Sequence, residues 1–316
     1  MTRILIFIIK ISIAIFILWY LRDKFDFNQL EFFFENPILL LIGPISWIIN
    51  QIFLSLRLYF IIKKSELNLT FYHVWVSNLA SIFAGNLLPG IIGTDSVKLI
   101  YLKKFSKKSK ISEILSVIFV DRLVGVTGLL FITSLFSLFI LNDDIFLNKD
   151  NPILQKITLL PMLLFFILTL LYLIFIFSFK KFDFSKIKFY EYLNYLNRLV
   201  TIDNNKYYIK VLIFNLLGIL FLVLGLTTIG VILQHSISEN SLFTIQLFLI
   251  PLILFANMIP LTPLGIGTAQ LTMATAFSLY GLDPSVGITI STISQVSMVL
   301  VSITLGGFYF LKSDLR

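Results

Sequence analysis

Apolar and polar positions along this chain come in long blocks rather than at the spacing of a surface helix or a strand. Six blocks are apolar enough to cross a bilayer, at roughly 4–21, 38–62, 111–141, 157–179, 209–233 and 285–311. About 20 residues suffice for a hydrocarbon core of about 30 Å. Two further apolar segments, about 72–97 and 244–282, are interrupted by Pro and Gly, in "NLLPGIIGTD" at 86–95 and "NMIPLTPLGIGTAQ" at 257–270. The pattern predicts an all-α polytopic membrane protein with about six full spans and two broken re-entrant hairpins. Lys10 interrupts the first block, which lacks an A-x-A cleavage site and reads as an anchoring helix rather than a signal peptide.

Composition agrees. Of 316 residues 58% are hydrophobic and 13% charged, with a mean hydropathy of +0.95, whereas a soluble domain carries about a quarter charged residues. The longest polar connection, 180–208, leaves no room for a soluble domain, and its "FYEYLNYLNRLV" reads as an amphipathic interfacial helix. The absence of cysteine excludes disulfides and thiolate chemistry. A net charge of +8 could indicate nucleic acid, but the basic residues flank spans, which makes anionic lipid headgroups the expected partner.

Lys and Arg counts in short loops set orientation. Residues 98–110 hold six lysines and no acid, and 180–210 holds seven basic residues. By contrast, 142–156 has only Lys149 and Lys156 beside three aspartates, and 234–243 has no basic residue. The first pair of loops reads cytoplasmic and the second external, which places both termini in the cytoplasm of a bacterial-type inner membrane. Segments 72–97 and 244–282 must then each enter and leave on one side, from opposite faces. Each half of the single transmembrane domain reads as span, span, broken hairpin, span: a first repeat over 1–141 and an inverted second repeat over 157–316. Asn86, Pro89, Gly93 and Thr94 correspond to Asn257, Pro260, Gly267 and Thr268, with three extra residues between Pro and Gly in the second copy. Breaks at matching positions of an inverted repeat point to the central site of a transporter, because irregular backbone at membrane depth survives only where protein or a water-filled cavity satisfies it. A cysteine at Asn194 should be shielded from an impermeant reagent in intact cells, whereas one at Asn148 should react; labelling of Asn194→Cys would overturn this topology.

A charge at the centre of a membrane helix costs about 2.5–3.5 kcal/mol, so ionisable residues inside spans are candidates for function. In "VDRLVG", Asp121 and Arg122 lie about 15 Å inside their span. Adjacent helical residues point about 100° apart, so each needs a partner from another segment. Asp95, Lys98 and Arg57 are the expected partners. Gly125, three residues beyond Arg122, would let another backbone approach. Asp95 and Lys98 are spaced for one helical face, and Thr94 or Asp95 reads as an N-cap. Arg57, near the end of its span, reads as snorkelling to the interface. The two histidines, His73 and His235, suggest no metal site, and no cofactor is expected. "NDD" at 142–144 reads as a solvated acidic loop. No phosphate-binding loop, nucleophile elbow or dinucleotide fingerprint is present.

Taken in this order, "PGIIGTDSVK", "DRLVG" and "PLTPLGIGT" resemble the flippase-like membrane domain found in the N-terminal half of lysylphosphatidylglycerol synthases, in its stand-alone form. The resemblance covers nearly the whole chain. The family's Gly-Gly-Asp and following Arg fall on Gly93, Thr94, Asp95 and Lys98, and its Asp-Arg with nearby Gly on Asp121, Arg122 and Gly125. The second break often ends in Glu where this chain has Gln270. Lys98 in place of Arg keeps the charge but loses the bidentate fork, and Gln270 removes a carboxylate from any proton coupling there. No segment corresponds to the soluble aminoacyl-transferase domain, so lysyl transfer is not expected.

The resemblance implies movement of a phospholipid or polyprenyl-linked lipid across the bilayer. The expected headgroup site comprises Asn86, Pro89, Gly93, Thr94, Asp95, Lys98, Asp121, Arg122, Asn257, Pro260, Gly265, Gly267 and Gln270. The protein is expected to be a translocase rather than an enzyme, and the sequence leaves room for a homo-oligomer. Two other classes stay open: a membrane-embedded enzyme or accessory subunit of lipid-glycan synthesis, and a small-solute secondary transporter.

Overall fold

A computed structural model describes residues 2–24, 26–87, 91–141, 152–181, 190–200, 205–233, 239–256, 262 and 265–314. Those residues are almost entirely helical. In chain order the helices are α1 (Thr2–Leu21), α2 (Phe27–Glu35), α3 (Pro37–Leu40), α4 (Ile42–Ile62), α5 (Phe71–Leu87), α6 (Ile91–Phe105) and α7 (Ile111–Leu141). They continue as α8 (Pro152–Lys181), α9 (Tyr190–Val200), α10 (Asn205–Leu233), α11 (Glu239–Ala256), α12 (Thr268–Leu279), α13 (Pro284–Val301) and α14 (Gly307–Asp314). A π-helical turn, Ser302–Gly306, joins the last two.

Five stretches of the described residues are long and apolar enough to span a membrane: Pro37–Ile62, Ile111–Leu141, Leu154–Tyr172, Lys206–Leu233 and Pro284–Leu311. These overlap five of the six expected blocks, four of them to within a few residues at each end, and α1 forms over the sixth. The ends follow local chemistry. Asp283 caps α13 by accepting from Ser285 N–H at 2.9 Å, and Pro284 takes the first turn, where no amide partner is needed. Asp26 caps α2 in the same way. Pro161 and Pro251 sit inside α8 and α11, as proline can in a bundle whose neighbours re-satisfy the freed carbonyls.

The bundle is built around α4 and α10, which pack along their lengths. Small residues bring them together. A Cβ at Gly225 of α10 would overlap Ser46 Oγ of α4, and one at Gly218 would lie 3.0 Å from Phe53 Cβ. Apolar surface gains little from leaving lipid for protein, so such close approach supplies the association through dispersion and hydrogen bonding. Gly225→Ala should therefore cost about 1–3 kcal/mol through overpacking, read as a fall in unfolding temperature of the purified protein. Adding Ser46→Gly should restore most of it in a double-mutant cycle. Additive losses would show that the two helices are not held by this contact.

The first interrupted segment is a pair of packed helices, α5 and α6, on either side of 88–90. The second is α11 and α12, on either side of 257–267. Helix α7, the last of the first half, packs on α11; α13 and its π-turn, the last of the second half, pack on α12 and α5. Two large apolar clusters make up most of the core among the described residues. One gathers Ile132, Leu226, Phe248, Phe277 and Ile290 from α7 and α10–α13. The other gathers Leu58, Leu102, Ile114, Val117 and Leu196 from α4, α6, α7 and α9.

Helix α9 turns its apolar face to protein: Leu196 and Leu199 are buried against the second cluster, and Ser116 Oγ donates to Tyr192 C=O at 3.2 Å. Exposed ion pairs flank it, Lys110–Glu191 at 2.8 Å and Arg198–Glu66 at 2.7 Å. The hydrogen bond to Glu191 holds the Lys110 ammonium above the usual lysine range. His73 accepts or donates at Thr70 Oγ1 and stacks on Phe105. His235 and the "NDD" at 142–144 lie outside the described residues.

Candidate functional site

Between the two apolar clusters, α4, α6 and α7 bring five ionisable side chains together. Asp121 on α7 is the hub. Its Oδ1 accepts from Arg57 Nε of α4 at 2.8 Å and lies 2.7 Å from the second guanidinium nitrogen, while its Oδ2 faces Lys98 Nζ of α6 at 3.6 Å. All three side chains are buried, at 4–7% exposure. Arg122, on the adjoining face of α7, holds Asp95 of α6 in a fork: Nε at 3.0 and 3.1 Å from the two carboxylate oxygens, and a terminal nitrogen at 2.5 Å. This second pair is half-open, with side chains 36% and 26% exposed. The expectation that Asp121 and Arg122 each take a partner from another segment is met by the three residues named for it.

Three details differ from the sequence reading. Arg57 does not snorkel; it is 6% exposed and bonded to Asp121 and to Asn215 Oδ1 at 2.7 Å. A buried carboxylate in reach outweighs the interface for a side chain whose stem already lies between helices. Thr94 and Asp95 are not caps, because α6 begins at Ile91 and carries both inside its first turns. Gly125 admits a side chain rather than a backbone: a Cβ there would stand 3.1 Å from an Arg57 guanidinium nitrogen.

Several polar residues around this hub were missed. Asn215 of α10 fixes Arg57 and donates to Val124 C=O at 2.7 Å, in space left by Gly128, whose Cβ would overlap the Asn215 amide. On α4, Asn50 donates to Gly218 C=O at 2.9 Å, and Gln51 and Ser55 accept from Asn78 of α5 at 3.1 and 3.0 Å. The amides inside "IINQIF" and "IFNLLG" were the available signal, since an unpaired amide in lipid is costly.

The second break is built differently. Gly265 and Gly267 have φ of +72° and +84°, a region that side chains rarely adopt, and a Cβ on Gly267 would also meet Ala14 C=O of α1 at 3.1 Å. Thr268 Oγ1 donates to Gly265 C=O at 3.0 Å. Gln270 Oε1 accepts from Gly267 N–H at 2.8 Å, and its Nε2 donates to Gln295 Oε1 of α13 at 2.8 Å. No ionisable group takes part in these contacts. Gly267 immediately precedes α12, whereas Gly93, its sequence counterpart, is a buried residue inside α6. The matched letters therefore occupy different positions in their helices. Of the predicted site residues, the structure gathers Asp95, Lys98, Asp121 and Arg122, with Gly93 and Thr94 on the same helix as the first two. It sets Gly265, Gly267 and Gln270 apart in a second, uncharged cluster. Pro89, Asn257, Pro260 and the side chain of Asn86 lie outside the described residues. Among the described residues no group of three or more His, Asp or Glu side chains is placed to hold a metal.

The fold and this site define a polytopic α-helical membrane protein with a charged cluster inside its bundle. Residues 7–306 match the family described as the lysylphosphatidylglycerol synthase TM region, and the chain belongs to that family. Membership ties it to lipid-related membrane function. Comparison with curated proteins finds no match, and neither does comparison with solved structures.

Proposed function

We propose that the protein is a lipid translocase, which passes the headgroup of an anionic phospholipid or polyprenyl-linked lipid through the bundle while the hydrocarbon chains stay in the bilayer. One observation carries this reading. The cluster of α4, α6 and α7 holds three cations, Arg57, Lys98 and Arg122, against two carboxylates, Asp95 and Asp121. Lys98 is 5% exposed, and among the described residues its ammonium meets one carboxylate oxygen, at 3.6 Å, and makes no hydrogen bond. An ammonium has three donors to satisfy, and an excess cation inside a membrane helix bundle is costly. A lipid phosphate would supply the missing charge and acceptors. The half-open Arg122–Asp95 pair beside it is the approach, because an arginine fork that holds a carboxylate also fits phosphate oxygens.

In this reading the two interrupted segments are re-entrant hairpins of an inverted repeat, with both termini cytoplasmic in an inner membrane. The pairing of α4 with α10, and of each half's last helix with the other half's hairpin, supports that symmetry. The chain carries no nucleotide-binding motif, so transport runs downhill or on an ion gradient, and Asp95 and Asp121 are the carboxylates open to coupling. The purified protein in liposomes with a trace of chain-labelled phosphatidylglycerol, followed by a leaflet-specific quencher, should speed exchange between leaflets above protein-free liposomes. Uptake of a soluble organic phosphate without lipid exchange would instead indicate a solute transporter.

A further inference from the structure

A cavity of about 560 Å³ lies beside the second break, bounded by α1, α12 and α13. Its size is that of a small-ligand site, and its wall is almost wholly carbon, from Leu21, Ile266, Ile288, Val296 and Leu300 among others. Gln270 and Gln295 reach the wall, but their amides are bonded to each other and to Gly267 N–H. A headgroup would find little to bind here. Val296 and Leu300 are half exposed on the outside of the bundle, so the cavity opens sideways, where lipid would surround it. An apolar recess open to lipid gains dispersion contacts when it is filled, and lipid chains are the surrounding solvent able to fill it.

What selects among lipids is at the mouth. Arg22 directly follows α1 and borders the cavity. Its guanidinium lies 5.2 Å from the Trp19 ring, and Lys24 lies 5.8 Å from that of Tyr20. Exposed Trp and Tyr beside cations mark the headgroup level of a membrane. Asp23 contacts Arg22 at 3.3 Å, but both side chains are more than half exposed, and such a pair contributes little. We infer that this cavity is an acyl-chain slot for an anionic phospholipid, with one chain between α1 and α13 and the phosphate at Arg22. The inference requires only that the chain lie in a bilayer. It is separate from the charged cluster, and binding here does not depend on translocation.

The test uses the full protein in vesicles containing phosphatidylglycerol with a diazirine in one acyl chain, or the matching diazirine diacylglycerol. After illumination, adducts should concentrate on Leu18, Val296 and Leu300 over the lipid-exposed Phe166 and Leu171 of α8. Val296→Trp, which fills the slot, should remove that excess, with Leu300→Phe as the second variant if the first does not fold. Arg22→Gln should lower phosphatidylglycerol adducts about fivefold, the factor for one interfacial cation, and leave diacylglycerol adducts unchanged. Cavity adducts no more frequent than those on α8, or untouched by both filling variants, would overturn the slot. Insensitivity of phosphatidylglycerol adducts to Arg22→Gln would overturn the phosphate assignment. Preserved adducts in an Arg122→Ala protein that no longer translocates would leave this site standing by itself.

Discussion

Asp121→Asn should destabilise the protein by about 3–5 kcal/mol, the usual cost of stranding a buried charge by removing its partner. The reason lies in what Asp121 compensates. Its two oxygens are the contacts for Arg57 and Lys98, and all three side chains are at most 7% exposed. Asparagine keeps the shape but presents one neutral oxygen and an amide whose protons point toward cations. Thermal unfolding of the detergent-purified protein is the measurement. Asp95→Asn should cost much less, because Asp95 and Arg122 are open enough for water or headgroups to replace the lost contact. Asp144→Asn, in the acidic connection, should stay within about 0.5 kcal/mol of the parent. The triple change Arg57→Met, Lys98→Met, Asp121→Leu should recover most of the stability lost by Asp121→Asn, since apolar replacement of a whole buried charge group is often neutral or better. Equal tolerance of Asp121→Asn and Asp144→Asn would mean that Asp121 is solvated and holds nothing together.

That hub was half readable before the structure. Asp121 and Arg122 stand out because two adjacent charges inside an apolar run cannot neutralise each other on a helix. Helix geometry required outside partners, and few charges were available. Composition could not say which cation would be buried. Arg57 lies near a span end, where snorkelling is the cheaper outcome for a free side chain, and only the meeting of α4 with α7 at Gly125 reverses that preference. Asn215 was visible as an amide in an apolar run, but its partner was not: its role depends on Gly128 lying opposite, a distance of many residues in sequence. The helices themselves were nearly all visible, because apolar blocks of spanning length have few other solutions. Pro and Gly marked the two interruptions in the sequence, but not the conformation of the glycines beside them. Gly267 directly precedes α12 with a positive φ, while Gly93 lies inside α6. Short motifs in a chain of few residue types align more readily than the conformations they adopt.

Arg122→Ala should reduce lipid exchange in liposomes to the protein-free background while leaving the unfolding temperature close to the parent. The two readouts separate here because the Arg122–Asp95 pair is partly exposed, so its loss strands no fully buried charge. In the proposed cycle Arg122 is the cation a headgroup meets first, and it already grips an anion through three close nitrogen–oxygen contacts. Translocation in the proposed cycle is an exchange: phosphate oxygens take the fork from Asp95, pass to Lys98, and leave as Asp95 closes again. Arg122→Lys keeps the charge but offers a point donor instead of a planar fork. It should slow exchange about ten- to a hundredfold, the worth of one or two charge-assisted hydrogen bonds. Asp95→Asn removes the competitor rather than the ligand. It should lower the lipid concentration needed for half-maximal rate and also lower the maximal rate, since the phosphate is then held without a rival to displace it. A simple scaffold would not show this split, because a structural pair loses function in parallel with stability whichever partner is removed. If wild type and Arg122→Ala exchange phosphatidylglycerol equally slowly, with both proteins shown to be folded, the translocase reading falls and the lipid-glycan enzyme or accessory-subunit reading takes its place.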